Sequence, residues 1–116
     1  LVNRPRVLLL DEPFGALDEV TRGEMQALLR KVVADFHTAA VLITHDIDEA
    51  LLLADRIVLL GGAPGRILGV WAVALPQPRT DLLPEMGALR LEILTRLRAA
   101  LRAARGQAAK ESIDVP

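Results

Sequence analysis

Two short apolar runs each end in residues able to act on a phosphate. Val7-Leu8-Leu9-Leu10 stops at Asp11-Glu12-Pro13, and Val41-Leu42-Ile43 stops at Thr44-His45-Asp46. Two adjacent acids can divide the work. One holds Mg²⁺, usually through water, because Mg²⁺ prefers a few carboxylates plus phosphate oxygens. The other orients or deprotonates an attacking water. An imidazole beside them can donate a hydrogen bond to a phosphate oxygen or to that water. Each group also has a plainer reading: Asp-Glu-Pro opens a loop with both acids solvated, and a lone His is more often structural. Their shared context sets them apart. In open α/β sheets ligands sit beyond the carboxyl ends of the strands, and neighbouring strands would set the two groups side by side.

The elements that must position them follow from the hydrophobic pattern. Val7–Leu10 reads as a strand buried on both faces, as in parallel sheets. Pro13 stops it and Gly15 allows a turn. Asp18 caps a helix whose apolar residues Met25, Leu28, Leu29, Val32 and Phe36 recur at helical spacing as a buried stripe. After the second strand, Asp46 as N-cap and Glu49 three residues on make a capping-box pattern. The helix it opens carries Ile47, Ala50, Leu51 and Ala54 on one side. Ile57–Leu60 is a third buried strand, and Arg66–Leu75 a fourth after the Pro64-Gly65 turn. Strand, helix, strand, helix, strand argues for an α/β layer with a parallel sheet. Pro76-Gln77-Pro78-Arg79 is a linker. A long helix is expected from about Leu83 to Arg105, with Leu89, Ile93, Leu97 and Leu101 as its stripe and Arg90, Arg96, Arg98, Arg102 and Arg105 on its other face. The last ten residues read as a frayed tail.

Composition excludes several classes of function. Fourteen basic and fifteen acidic residues give a formal net charge of −1, so no basic field invites nucleic acid. With no Cys there is no disulfide framework, thiolate zinc site or Cys nucleophile. The run from Ile67 to Leu75 falls well short of the ~20 apolar residues that span a bilayer, and no charged leader precedes an apolar stretch.

Taken together, the motifs resemble a known family. Leu8-Leu9-Leu10-Asp11-Glu12-Pro13-Phe14-Gly15-Ala16-Leu17-Asp18 is similar to the Walker B motif running into the D-loop of ATP-binding cassette (ABC) ATPases. Thr44-His45-Asp46 resembles the family's H-loop, and Ala50–Leu60 the segment after it. The resemblance implies a fold: the C-terminal part of a P-loop NTPase domain over residues 1–75, with a mostly parallel sheet flanked by helices. Residues 76–116 would then hold the linker, the amphipathic C-terminal helix and the tail.

It also implies roles. Asp11 helps hold Mg²⁺, Glu12 is the general base or water-orienting acid, and His45 contacts the γ-phosphate of ATP. Ala16, Leu17 and Asp18 lie at the interface with a second ATPase subunit, in a head-to-tail dimer that sandwiches ATP. The family's Gly-rich phosphate loop, Gln-containing loop and Ser-Gly-Gly signature lie upstream of Walker B and have no match here. Gly61-Gly62-Ala63-Pro64-Gly65-Arg66 lacks the Lys-Ser/Thr ending and leads into a strand. Leu1–Pro5 is similar to the tail of the helix after that signature. The expectation is therefore a fragment that is inactive alone.

Phe14–Asp18, Thr44–Ala50, Asp55-Arg56-Ile57-Val58, Pro64–Ile67, and Leu75-Pro76 with Pro78-Arg79 resemble the nitrate, sulfonate and taurine importer group. This implies permease partners, indirectly a solute-binding protein, no nucleic acid, and a peripheral place on the cytoplasmic face of the membrane. Two other readings stay open: a soluble, non-transport ABC ATPase, or a non-catalytic remnant. The Arg-rich helix face is read as solvated over a packed Leu stripe, with contact to anionic lipid or a regulatory partner as the alternative.

Overall fold

The computed structural model describes residues 7–62, 65–77, 79 and 84–113, with side chains described as far as 106. Leu1–Pro5, Pro64, Pro78 and the expected helix start at Leu83 lie outside the described residues. Seven elements follow in order: β1 (Val7–Asp11), α1 (Glu19–Phe36), β2 (Ala39–Ile43), α2 (Ile47–Leu53), β3 (Arg56–Gly61), β4 (Arg66–Ala72) and α3 (Met86–Ile113).

β1 and β2 pair in parallel, with Val7 opposite Ala39 and Asp11 opposite Ile43. α1 is the crossover that a parallel pair requires. Asp18 caps it as expected, accepting the Thr21 N–H at 3.1 Å. The helix ends at His37, whose left-handed φ of 49° returns its N–H to Val33 O, the αL type of helix stop.

The expected continuous parallel sheet is not what the described residues form. They make one parallel pair, β1–β2, and one antiparallel pair, β3–β4. Four residues separate Gly61 from Arg66, too few for the crossover that a parallel partner needs. In this hairpin Arg56 faces Ala72 and Gly61 faces Arg66, with the register shifting between Leu59 and Leu60. A Cβ at Gly69 would meet the Trp71 ring, so the bare backbone there makes room for the indole. The fourth strand is shorter than Arg66–Leu75, ending at Ala72.

The core gathers around α2. Leu51, Ile57, Val73, Met86 and Ile93 form one buried cluster, with Ile47, Ala50, Ala54, Trp71, Leu75 and Leu89 packed on it. The apolar side read for α2 is therefore its packed side. α3 lies across α2 and the hairpin and continues to Ile113, so the chain expected to fray from 107 is helical to that point. Its stripe is covered at Ile93 and uncovered at Leu101, because the helix outruns the hairpin it rests on. At 1.5 Å per residue its 28 residues run about 42 Å. All five arginines of its outer face are exposed, and two of them also find partners. Arg90 pairs with Asp48 at 2.6 Å, and Arg96 donates to Leu68 O at 2.8 Å while lying 5.8 Å from the centre of the Trp71 ring. Arg98, Arg102 and Arg105 are exposed.

The burial expected for β1 and for the α1 stripe is not observed. Leu9 is 70% exposed and Phe36 61%, and no residue of α1 is fully buried. A parallel strand is buried when strands flank both its edges and helices cover both its faces. Here β1 has β2 on one edge, and the described residues supply no strand for the other.

Leu51→Ala should lower stability by about 2–5 kcal/mol, through lost burial and the cavity left behind. Leu9→Ala should stay within about 0.5 kcal/mol, as for an exposed position. Denaturant midpoints of the two variants measure this, and equal shifts would contradict the placement of the core.

Candidate active site at the β1–β2 edge

The site is built where the parallel ladder ends. Asp11 is the last paired residue of β1, opposite Ile43. One residue on, the Glu12 N–H still donates to Ile43 O at 2.8 Å, while its φ of 48° turns the backbone out of the strand. That left-handed conformation costs a non-glycine residue roughly 1–2 kcal/mol. It also points the Glu12 carboxylate across the strand ends toward the β2 side. There Glu12 Oε1 accepts the His45 backbone N–H at 2.9 Å and lies 2.7 Å from His45 Nδ1. Two groups of His45, 33 positions along the chain, thus meet one carboxylate oxygen of Glu12.

A carboxylate only accepts hydrogen bonds, so the Nδ1 of His45 carries the proton. Nε2 is then an acceptor in the neutral ring and a donor in the charged one. The hydrogen bond from the ring, together with the Glu12 charge, raises the His45 pKa above its ordinary value. The same hydrogen bond lowers that of Glu12, with desolvation opposing. The arrangement therefore widens the pH range in which Nε2 can donate to an anion, while Glu12 Oε2 is left without a His45 contact.

The remaining expected residues sit nearby on a bent segment. Gly15 N–H lies 3.4 Å from Glu12 O, and Leu17 N–H donates to Phe14 O at 3.2 Å. Ala16 and Asp18 are exposed and Leu17 is half-buried. Phe14 is buried beneath them, with 7% of its surface exposed. Asp18 faces α1 as its N-cap, and the Thr21 hydrogen bond lowers its pKa. Asp11 is exposed at the strand end. One carboxylate beside open space fits the donor set of Mg²⁺, which keeps waters and phosphate oxygens as most of its ligands. Glu12 is already engaged by His45, and no cluster of three or more ligating side chains forms among the described residues.

Several supporting residues escaped the sequence reading. Arg22 donates to Phe14 O at 3.3 Å and Leu17 O at 2.8 Å, bracing the bend. Gln26 donates to Glu49 Oε2 at 2.8 Å, and Arg30 to Leu53 O at 3.2 Å. Their spacing of four along α1 is the signal available in the sequence: a polar stripe on one helix face. Glu49 therefore does not complete the capping box. Asp46 Oδ1 accepts the N–H groups of Asp48 and Glu49, while the Glu49 carboxylate turns to Gln26. Thr44 Oγ1 accepts the Asp46 N–H at 3.0 Å, fixing the step from His45 into α2.

No protein-family profile matches the chain. Individual proteins do. An aliphatic sulfonates import ATP-binding protein of Pseudomonas aeruginosa is 48% identical over 100 residues, covering 86% of this chain and 40% of the relative. A bicarbonate transport ATP-binding protein of Synechococcus elongatus is 50% identical over 99 residues, covering 81% of this chain and 15% of the relative. A nitrate import ATP-binding protein of the same organism is 44% identical over 110 residues, covering 90% and 17%. The chain thus spans two fifths or less of the length of these relatives.

The Glu12–His45 pair carries a definite pH signature. His45 is raised, so its contribution is complete below the ordinary 6.5 and is lost as pH rises through the raised value. Glu12 is lowered, so its contribution is complete above the ordinary 4.5 and is lost as pH falls through the depressed value. NMR titration of the His45 ring should give a midpoint above 6.5, and Glu12→Gln should bring it down. A midpoint that the substitution leaves in place would show that the two groups do not interact in solution.

Proposed function

Because the chain belongs, over the stretch it covers, to the ATP-binding subunits of ABC importers, we propose that it supplies the water-activating edge of such an ATPase. The observation that carries this reading is the contact of Glu12 with His45 at 2.7 Å across the ends of β1 and β2. ATP is the substrate. Glu12 orients the attacking water and takes its proton. His45 donates from Nε2 to the γ-phosphate, with Nδ1 held by Glu12. Asp11 holds Mg²⁺, which when bound neutralises phosphate charge and fixes its orientation. In-line transfer to water needs positioning and charge stabilisation more than covalent chemistry from the protein, and these residues are of the types that provide it.

Ala16, Leu17 and Asp18 form the face toward a second ATPase subunit, and the exposure of Ala16 and Asp18 beside the buried Phe14 supports that role. The cradle for the phosphates comes from outside this chain's 116 residues, in which no Gly-rich loop with a Lys-Ser/Thr ending occurs. The importer reading rests on the relatives. Sulfonates, bicarbonate and nitrate, named for those proteins, are small oxyanions, and we place this chain's solute in the same class. Permease subunits and a solute-binding protein are then its partners, and it sits on the cytoplasmic face of the membrane. No helix among the described residues is long and apolar enough to cross that membrane.

In the full-length subunit, Glu12→Gln should slow ATP hydrolysis by roughly 10²–10⁴-fold, as for loss of a general base, with ATP binding retained. Steady-state turnover and nucleotide affinity, measured side by side, check this. Near-normal turnover would remove Glu12 from the proposed role.

A further inference from the structure

α2 has seven residues, too few to hold a helix by itself in water, and its last carbonyls have no partner inside the helix. Side chains from elsewhere supply them. Arg79 Nη1 donates to Leu51 O at 3.0 Å and to Ala54 O at 2.8 Å. Gln77 Nε2 donates to Leu52 O at 3.2 Å, and Arg30 reaches Leu53 O from α1. The other donors of Arg79 go to the chain after β4. Nε meets Leu75 O at 3.2 Å, and Nη2 meets Leu75 O at 2.6 Å and Val73 O at 3.1 Å.

A guanidinium has five N–H donors in a rigid fork, and Arg79 uses every one of them on carbonyls while only 7% exposed. None of these partners is a carboxylate. Burial lowers its pKa, with Asp55 opposing, yet a guanidinium keeps its proton in proteins. Such a buried cation resists displacement, because any move leaves charge and carbonyls unpaired in a dry place. At its other end, α2 starts from Asp46, next to His45, and it is tied sideways by Asp48 to Arg90 and by Glu49 to Gln26.

We propose that Arg79, helped by Gln77, is a positioning residue: by pinning the C-terminal end of α2 to the segment after β4, it sets where the N-terminal end of α2 holds His45 against Glu12. The helix spans about 10 Å from pin to active edge, so a tilt at one end displaces the other. The catalytic consequence rests on the ATPase reading above; the pin itself rests on the hydrogen bonds alone.

The test uses the full-length ATP-binding subunit with two readouts, amide hydrogen exchange and ATP turnover. In Arg79→Met, the Ala50 and Ala54 amides should exchange at least roughly tenfold faster, while the β1–β2 ladder keeps its protection, since local opening need not spread. kcat for ATP should fall about 10–100-fold, the scale of a small misplacement, with KM changed by less than about threefold. Arg79→Lys should fail to restore either readout, because an ammonium cannot reproduce the fork. Gln77→Ala should move both readouts in the same direction by less, and it decides alone if Arg79→Met does not fold. Unchanged exchange in α2, loss of protection shared equally by the β1–β2 ladder, or full rescue by Lys would each overturn the proposal. Glu12→Gln run in parallel separates the two ideas. Normal turnover there would sink the catalytic reading, while the exchange pattern would still decide the pin.

Discussion

The parallel register of β1 with β2 is the constraint on which the site depends. Asp11 opposite Ile43 is one rung of a five-residue ladder. A slip of one residue would move every side chain of a strand to the other face. The Glu12 N–H to Ile43 O bond extends that ladder by one residue beyond the strand, and only then does the chain turn. The left-handed backbone of Glu12 is tolerable because it is held on both sides. The ladder fixes the backbone before it, and the His45 N–H and ring fix the carboxylate beyond it. Strain of this sort is typical of residues whose side-chain direction matters more than their local stability.

α2 is the second level of the same construction. It is too short to define its own direction, so its direction comes from contacts with everything around it. Leu51 anchors it in the core shared with Ile57, Val73, Met86 and Ile93. Polar bonds to α1, α3 and the segment after β4 then leave few ways to rotate it. The apolar contacts set how deeply the helix is seated, and the polar bonds set its azimuth and axial position. This division follows from the physics: burial is non-directional, whereas hydrogen bonds weaken steeply with angle. The three arginines that reach backbone carbonyls around α2 and the nearby bend (Arg22, Arg30 and Arg79) therefore act as rigid spacers more than as charges.

The apolar surface is unevenly covered. The hairpin, α2 and α3 enclose the buried cluster, yet apolar side chains face outward on both halves: Val7, Leu9, Val41 and Phe36 on β1, β2 and α1, and Leu60, Ile67 and Leu91 on the hairpin and α3. Single exposed apolar side chains are ordinary, but contiguous ones mark surfaces suited to further contact. The stretch shared with this chain is two fifths or less of the length of the relatives.

The sequence by itself determined the local elements and the chemical character of the site. Two apolar runs ending in Asp11-Glu12 and Thr44-His45-Asp46, the Asp18 and Asp46 caps and the apolar side of α2 were all legible, because each depends on neighbours within one or two helical turns. The tertiary structure alone decided the rest. That Glu12 Oε1 takes both His45 donors requires the β1–β2 register, which no local pattern encodes. That Ile57–Leu60 joins an antiparallel hairpin, and not the parallel sheet, depends on its pairing with β4, which apolar content cannot reveal. That Arg79 in the Pro-Gln-Pro-Arg linker is a buried five-bond clamp depends on carbonyls elsewhere in the chain, one of them 28 residues earlier at Leu51. Backbone carbonyls are the same in every residue, so a side chain that binds them leaves no complementary residue type to be read.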